Sequence, residues 1–379
     1  MPITIPGKIF VSGSCSQSDP SKVSFAYVSK CAARLIQVRQ EAAALSKMDS
    51  VDAAQSERPA LFALALKSQL EQNKAVSGKT PVSAAGEGKR LDHIQRLVVI
   101  GDSLSDSEGR MLGKSLGVMP SSLQYYEGRF TNGFAWPDFL ASKAYLGKPL
   151  VNYAEGGAVA GKYSKWNPVF MFISHMERQI NKHDFQQGDM AVLALGSNDY
   201  MTFGKTDVEK VIRTYKQQVD KLLAKGVKDI LVVGAPDLSK TVNARKQPPE
   251  EAAKLKLLSQ EHNRLLRKAV DTLQASSIND GVTIRFFDIS AKLNDLMELA
   301  EQVEYDTMHN KHEGYIDLPR VFGFAGDTRP LDSSHRHLFH DEVHPSQEVH
   351  QILAAHMTDF IREQYGRPAK LQGAARSAK

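Results

Sequence analysis

A serine near residue 100 stands where it could act as a nucleophile. Ser103 follows the apolar run 97–100 within Gly101-Asp102-Ser103-Leu104. A short apolar run that ends abruptly in Gly-Asp-Ser is typical of a buried strand that delivers a serine to the C-terminal edge of a sheet, where ligands bind in α/β folds. The same tetrapeptide also serves as an ordinary strand-to-helix turn, so the rest of the site must be sought elsewhere in the chain.

A candidate general base lies far along the chain, in the segment 340–346. His344 follows Asp341 by three residues, and in a short turn this spacing lets the carboxylate reach the imidazole. The acid would fix the ring's tautomer and stabilise the imidazolium that forms when the ring takes a serine proton. Pro345 keeps His344 out of the helical region. The other interpretation of this segment is a capped helix N-terminus.

Two further motifs could hold a developing negative charge. Asn198 follows the apolar run 189–195, and its carboxamide can donate a hydrogen bond to an oxyanion. Gly156 and Gly157 follow the run 149–154, and their backbone N–H groups are open to a ligand. Each motif alone is also typical of a turn. Together, these motifs fit one site, in the order serine, glycine pair, asparagine and Asp-x-x-His. The α/β-hydrolase fold is excluded, because there the serine lies in Gly-x-Ser-x-Gly and the acid comes well before the histidine, whereas here acid and base share one short segment.

The elements that must position these residues alternate from residue 96 onward. Five apolar runs predict strands at 97–100, 149–154, 189–195, 229–234 and 282–288. Apolar residues at helical spacing predict helices at 208–225, 249–275 and 347–364. Continuous apolar strands alternating with helices predict an α/β fold with a parallel sheet covered on both faces.

Composition restricts the class of protein. The length of 379 residues suffices for one large domain and a smaller appendage. The chain is 42% hydrophobic and 24% charged, an ordinary composition for a globular protein. A net charge of +5 is too small to indicate nucleic-acid binding, but it permits weak attraction to an anionic membrane. Cys15 and Cys31 are the only cysteines, so no disulfide framework supports the fold. No run is typical of a membrane-spanning helix or a secretory signal peptide.

The chain divides into three predicted regions. Residues 1–90 are rich in Ala, Ser, Gln and Lys and end in a linker-like stretch, which predicts a helical or partly disordered extension. The domain itself is predicted over 91–367, and a flexible tail is predicted over 368–379.

Over about residues 95–365 the chain resembles the GDSL (SGNH) hydrolases, through the motifs at 103–107, 128–133, 152–157, 196–200 and 341–345. The resemblance implies a three-layer α/β/α sandwich with a flavodoxin-like parallel sheet. It implies Ser103 as nucleophile, Asp341 and His344 as acid and base, and no cofactor or metal. The implied oxyanion donors are the Ser103 N–H, a glycine of the Gly156–Gly157 pair and Asn198. Asp199 is the alternative acid, although its distance from His344 along the chain favours Asp341.

Within that family, the segments 128–134, 198–201 and 344–350 are similar to the bacterial phospholipase and glycerophospholipid:cholesterol acyltransferase branch, and to its type III secreted effectors. This implies phospholipase A activity with acyl transfer from phospholipid to cholesterol or water. It also implies a host Rho-family GTPase activator, type III secretion through the 1–90 extension, and a peripheral location on host vacuolar or endosomal membranes. A GDSL esterase for soluble or carbohydrate esters, and an effector that mainly docks a host protein, remain the alternatives.

Two other stretches have less specific patterns. The segment 305–340 contains His309, His312, His335 and His337, which predicts a lid or interfacial loop with solvated histidines; a zinc cluster is the rival interpretation. The aromatic run 163–173 could contact lipid, but such runs more often belong to the core, and core is the prediction here.

Overall fold

A computed structural model describes residues 89–163, 166, 168–277, 280–302, 305–311 and 337–368. The predicted extension therefore lies outside the described residues except for 89–90, as does the tail except for 368. Most of the predicted lid, including His312 and His335, lies outside them as well.

A central sheet of five strands organises the described residues. All its neighbouring strands pair in parallel, in the order β3-β2-β4-β5-β6. Two smaller pairs, β1 with β9 and β7 with β8, lie outside this sheet. The strands are β1 Lys89–Arg90, β2 Arg96–Gly101, β3 Leu150–Asn152, β4 Asp189–Ala194, β5 Asp229–Val233, β6 Thr283–Phe287, β7 Asp306–Asn310, β8 His337–Phe339 and β9 Arg367–Pro368.

Helices connect the strands. The helices are α1 Arg110–Lys114, α2 Trp136–Ala141, α3 Pro168–Phe172, α4 Met176–Asn181, α5 Ser197–Met201, α6 Val208–Ala224, α7 Val242–Lys246, α8 Pro249–Ser277, α9 Ile289–Gln302 and α10 Gln347–Tyr365. The three helices predicted from periodicity, now α6, α8 and α10, begin where expected and end within two residues of the prediction. No helix in the described part of the chain is long and apolar enough to cross a bilayer.

The sheet is covered on both faces because successive strand residues point to opposite sides. In β2, Leu97 and Val99 belong to one buried apolar cluster, whereas Val98 and Ile100 belong to the other. The first cluster includes residues of α2, α9 and α10, and the second includes residues of α4, α6 and α8. The predicted three-layer α/β/α sandwich is therefore confirmed.

The strand order places a crevice beside β2. Chain connections leave β2 towards β3 on one side, and the later strands continue from β4 on the other. This is the flavodoxin-like order, in which ligands bind beyond the carboxyl ends of the two strands where the order reverses. Ser103 follows β2, and Asn198 lies just after β4, so both lie at this crevice.

Candidate active site

The turn that carries Ser103 begins at Gly101, where there is no room for a side chain. A Cβ on Gly101 would lie 2.6 Å from the Cβ of Ser105, so the chain can turn this tightly only with glycine. The buried amide of Gln179 accepts from the Gly101 N–H and donates to its carbonyl, both at 2.9 Å. Ser103 is thereby held two residues beyond the end of β2.

Ser103, His344 and Asp341 form a continuous chain of hydrogen bonds. His344 Nε2 lies 2.7 Å from Ser103 Oγ, and His344 Nδ1 lies 2.6 Å from Asp341 Oδ2. An ionised carboxylate can only accept, so Nδ1 carries the hydrogen and Nε2 is left to accept the serine proton. This is the arrangement in which a histidine acts as general base towards a hydroxyl.

Asp341 is buried in a shell of donors. Its Oδ1 accepts from the N–H groups of Val343 (2.8 Å) and His344 (2.7 Å), and its Oδ2 accepts from the Tyr125 hydroxyl (2.6 Å). Burial alone would raise the pKa of the Asp341 carboxyl, but the charge and hydrogen bond of His344, together with the Tyr125 and Val343 donors, hold that pKa below its usual value. Asp341 therefore stays ionised beside the histidine.

The segment 128–133 supports the turn that carries His344. The Thr131 hydroxyl donates to the Pro345 carbonyl (2.9 Å), and Asn132 Oδ1 accepts from the Gln347 N–H (2.8 Å). The ring of Phe130 lies against the His344 imidazole, with centroids 4.9 Å apart. This motif therefore positions the base from a distant part of the sequence.

The Asn198 carboxamide is oriented by two bonds. Its Nδ2 donates to the Ala158 carbonyl (3.0 Å), and its Oδ1 accepts from the Thr202 hydroxyl (2.7 Å). The second hydrogen of Nδ2 has no protein acceptor among the described residues. It remains available to a ligand in the cleft, where Asn198 lies with Ser103.

The two glycines differ in their hydrogen bonds. The Gly156 N–H donates to Asp106 Oδ2 (3.0 Å), whereas the Gly157 N–H, like that of Ser103, has no acceptor within the described part of the chain. A Cβ on Gly156 would lie 2.4 Å from the Phe130 ring, so glycine is required there for close packing. Gly157 is thus the member of the pair with a backbone donor to spare.

Two buried carboxyls flank the serine turn and have raised pKa values. Burial raises the pKa of Asp106 to about 6, although hydrogen bonds from three backbone N–H groups, those of Arg110, Met111 and Gly156, oppose the rise. Burial likewise raises the pKa of Asp102 to about 7, opposed by the Leu104 N–H and by His344. Asp106 thereby ties α1 to the glycine pair.

Asp199 lies apart from the histidine. Its carboxylate accepts from the N–H groups of Ala160 (2.8 Å) and Gly161 (2.9 Å) and from the Tyr163 hydroxyl (2.5 Å). Burial raises the pKa of Asp199, and these three donors oppose the shift. The carboxylate that meets His344 Nδ1 is that of Asp341, while Asp199 orders the loop beside Asn198.

A cleft of about 290 Å³ opens over Ser103 and His344. Asn198 and Gly157 line it together with many apolar side chains. These apolar lining residues are Leu104, Met111, Met119, Phe130, Ile173, Met201, Phe203, Pro236, Leu238 and Val343. A mostly apolar cleft with a few convergent polar groups is typical of a small-molecule site.

The histidine-rich stretch and the aromatic run are the two other predicted features. In the first, His309 pairs with Asp306 (2.9 Å). The described residues, which do not include His312 and His335, contain no cluster of side chains that could hold a metal ion. The prediction that 163–173 is core is wrong for four of its side chains, because Trp166, Val169, Met171 and Phe172 are exposed. Ile173, by contrast, lines the cleft.

Comparison with known proteins identifies the family. The sequence model of the GDSL-like lipase/acylhydrolase family matches residues 97–357. The chain belongs to this family. The match covers every residue of the candidate site, so the resemblance predicted from the motifs is confirmed.

Individual relatives of this GDSL chain include two curated bacterial proteins. The secreted effector protein SseJ of Salmonella typhimurium is 39% identical over 276 residues, which are 73% of this chain and 65% of that protein. The chain thus spans slightly less than two thirds of that relative. The phosphatidylcholine-sterol acyltransferase of Aeromonas hydrophila is 28% identical over 71% of this chain and 91% of that protein. Among solved structures, an aryl esterase of M. smegmatis aligns with 71% of this chain and 99% of its own, at 13% identity and a TM-score of 0.42.

Sequence reasoning missed the residues that support the site. Tyr125, Asp106 and Thr202 each hold a predicted site residue through a side-chain hydrogen bond, and Gln179 holds Gly101 through two. The motif at 128–133 was the one signal that a distant segment takes part.

Proposed function

We propose that this chain is a serine-dependent lipase and acyltransferase that takes a fatty acyl group from a phospholipid and passes it to cholesterol or water. The observation that carries the proposal is the hydrogen-bonded chain Ser103–His344–Asp341, of which Ser103 and His344 line a mostly apolar cleft. An apolar cleft favours an acyl chain over a sugar, whose hydroxyls would need polar partners.

In the proposed first step, Ser103 Oγ attacks the ester carbonyl carbon of the phospholipid while His344 Nε2 takes the hydroxyl proton. The imidazolium that forms is stabilised by ionised Asp341. As the tetrahedral intermediate collapses, the bond to the glycerol oxygen breaks and His344 returns its proton to that oxygen. Lysophospholipid leaves, and the acyl group remains as an ester on Ser103.

The negative charge of the intermediate requires donors that are already in position. Asn198 Nδ2, with one hydrogen bonded to the Ala158 carbonyl, is the proposed side-chain donor. The Ser103 and Gly157 N–H groups are the proposed backbone donors, since neither has another acceptor among the described residues. Preorganised donors of this kind act mainly on the rate of the chemical step.

In the second step an acceptor hydroxyl attacks the acyl-Ser103 ester, with His344 again taking its proton. Water as acceptor yields a fatty acid, and a sterol hydroxyl yields a sterol ester. The acyltransferase name of the Aeromonas relative supports a sterol as an acceptor. The secreted-effector name of the Salmonella relative supports secretion.

The resemblance to type III effectors extends the proposal to the host cell. We propose secretion through the 1–90 extension, action on vacuolar or endosomal membranes, and activation by a Rho-family GTPase. The activation is tested by assaying the chain with and without a GTP-loaded Rho protein, and equal rates would contradict it.

The direct test is lipid turnover on phosphatidylcholine vesicles with and without cholesterol. We expect fatty acid in both cases and sterol ester when cholesterol is present. Ser103→Ala abolishes both products, whereas Ser276→Ala, a matched change at a hydroxyl that donates to the Leu273 carbonyl of its own helix, leaves them unchanged. Turnover of short soluble esters without any lipid turnover would favour the soluble-ester alternative. Full lipid turnover by Ser103→Ala would contradict the proposal.

A further inference from the structure

An exposed apolar surface lies beside the reactive cleft. Its side chains come from the end of the loop that precedes α3 and from α3 itself, and we call them the apolar ridge. The ridge consists of Trp166 (95% exposed), Val169 (50%), Met171 (62%) and Phe172 (43%). Four large apolar side chains exposed within seven residues are unusual on a soluble surface and indicate an interaction site.

The ridge is continuous with the cleft through Ile173. Met171 and Ile173 line a cavity of about 290 Å³ together with Lys162 and Arg178. Ile173 also lines the cleft that contains Ser103 and His344. A surface against which the ridge is pressed would therefore meet the mouth of the reactive cleft.

Cations surround the ridge. Arg178 Nη1 donates to the carbonyls of Met171 (3.2 Å) and Ile173 (3.5 Å), and within the described residues no carboxylate pairs with it. Lys114 Nζ lies 4.5 Å from the centroid of the Phe172 ring, and Lys162 is exposed. Glu155 and Glu177 pair with Lys114 and Lys162 respectively, so Arg178 is the cation with charge left for an anion.

We propose that the apolar ridge inserts into the surface of a phospholipid bilayer, with Arg178 against the headgroup phosphates. Trp and other large apolar side chains flanked by cations are the composition that partitions into the headgroup region. The proposal rests on the proposed function, because a bilayer is where a phospholipid substrate resides. It explains why this part of the chain is apolar without being buried.

The two tryptophans of the chain permit a direct test. Trp166 lies on the ridge, whereas Trp136 is 3% exposed and donates from its indole N–H to the Ser105 hydroxyl. With vesicles of phosphatidylcholine and phosphatidylserine, we expect Trp166 emission to move to shorter wavelength. Trp166→Phe removes that shift, and the buried Trp136 supplies an unchanged background.

A double variant of the ridge and a control variant elsewhere test vesicle binding without relying on fluorescence. Trp166→Ser combined with Met171→Ser lowers the vesicle partition coefficient by about tenfold or more. Leu257→Ser, which removes a side chain of similar exposure (66%) from α8, leaves the coefficient unchanged. Hydrolysis of a short soluble ester, measured in parallel, reports separately on the reactive site.

The outcomes separate the two proposals. A fluorescence shift and a loss of binding confined to the ridge variant support the docking surface, even if no lipid is cleaved. Absence of a shift, or equal vesicle binding by the ridge variant and Leu257→Ser, overturns it, even if lipid is cleaved. Loss of activity on the soluble ester by the ridge variant would overturn it as well, because the ridge would then act on the site itself.

Discussion

Tyr125 donates its hydroxyl hydrogen to the same oxygen of Asp341 that meets the His344 ring, and both contacts are 2.6 Å long. Two donors on one oxygen fix the direction of the carboxylate and lower the pKa of Asp341. The tyrosine touches no reacting atom in the proposed mechanism. It is therefore a positioning residue for the acid.

Replacing Tyr125 by phenylalanine removes that hydrogen bond and keeps the ring. We expect kcat to fall about tenfold with little change in KM, because the bond supports the imidazolium only during the chemical steps. The pKa of Asp341 also rises, so activity is lost at a higher pH on the acid side than in the native chain. Tyr126→Phe, at the neighbouring position, is the matched control for pH–rate profiles. Identical pH–rate profiles for Tyr125→Phe and the native chain would show that Tyr125 does not position Asp341.

Asp341 and Asp199 are distinguished by parallel substitutions. Asp341→Asn is expected to lower kcat by about 10⁴, because the histidine loses the partner that fixes its tautomer. Asp199→Asn is expected to lower the unfolding temperature, because its carboxylate holds the loop at Ala160 and Gly161. Its kcat is expected to fall by about tenfold at most. Steady-state kinetics on a soluble ester provide the comparison. The reverse ranking would make Asp199 the acid.

Asn198 is tested through its amide. Asn198→Ala is expected to lower kcat by about 10²–10³ with KM nearly unchanged, as for other oxyanion donors. Thr202→Val, which removes only the hydroxyl that orients the amide, is expected to cost about tenfold. An effect of Asn198→Ala on KM alone would assign the amide to substrate binding instead.

Much of the site could be predicted from the sequence because its parts are local. Ser103 stands at the end of an apolar strand, and Asp341 and His344 share one turn, so neither needs long-range information. Tyr125 lies 216 residues from Asp341 along the chain, and only the fold brings them together. The choice between Gly156 and Gly157 likewise depends on where the Asp106 side chain points, which no local pattern specifies.

The strands of the sheet were equally predictable from their apolar runs. Four of the five runs match a strand to within one residue at each end, but β3 is only Leu150–Asn152, shorter than the run 149–154. The run 163–173 misled because an exposed ridge and a core segment have the same composition. Periodicity shows which residues are apolar, and it does not show what covers them.

Buried histidines predict a response of stability to acid. Burial lowers the pKa of His262 and His356 to about 4, and that of His350 to about 3 with a smaller contribution from His344. The unfolded chain therefore binds more protons than the folded one between about pH 4 and 6.5, and this contribution to the free energy of unfolding is lost as pH falls through that window. The raised pKa values of Asp102 and Asp106 act in the opposite direction.

A variant isolates the histidine contribution from the carboxyls. His356→Leu removes one buried imidazole and leaves both aspartates in place. Between pH 7 and 5, we expect its free energy of unfolding to fall less than that of the native chain, by about 2 kcal/mol. Urea titrations at the two pH values measure the difference. Parallel losses in both proteins would show that His356 does not titrate differently on folding.

In the proposed mechanism, Ser103 carries the acyl group between donor and acceptor. This step can be observed by mass spectrometry of the chain quenched in acid during turnover of a phospholipid with one known acyl chain. We expect a mass increase equal to that acyl group less one hydrogen, on the peptide that contains Ser103, and its disappearance when cholesterol is added in excess. Continued lipid turnover without this adduct, or an adduct on another residue with Ser103→Ala fully active, would contradict the proposed mechanism.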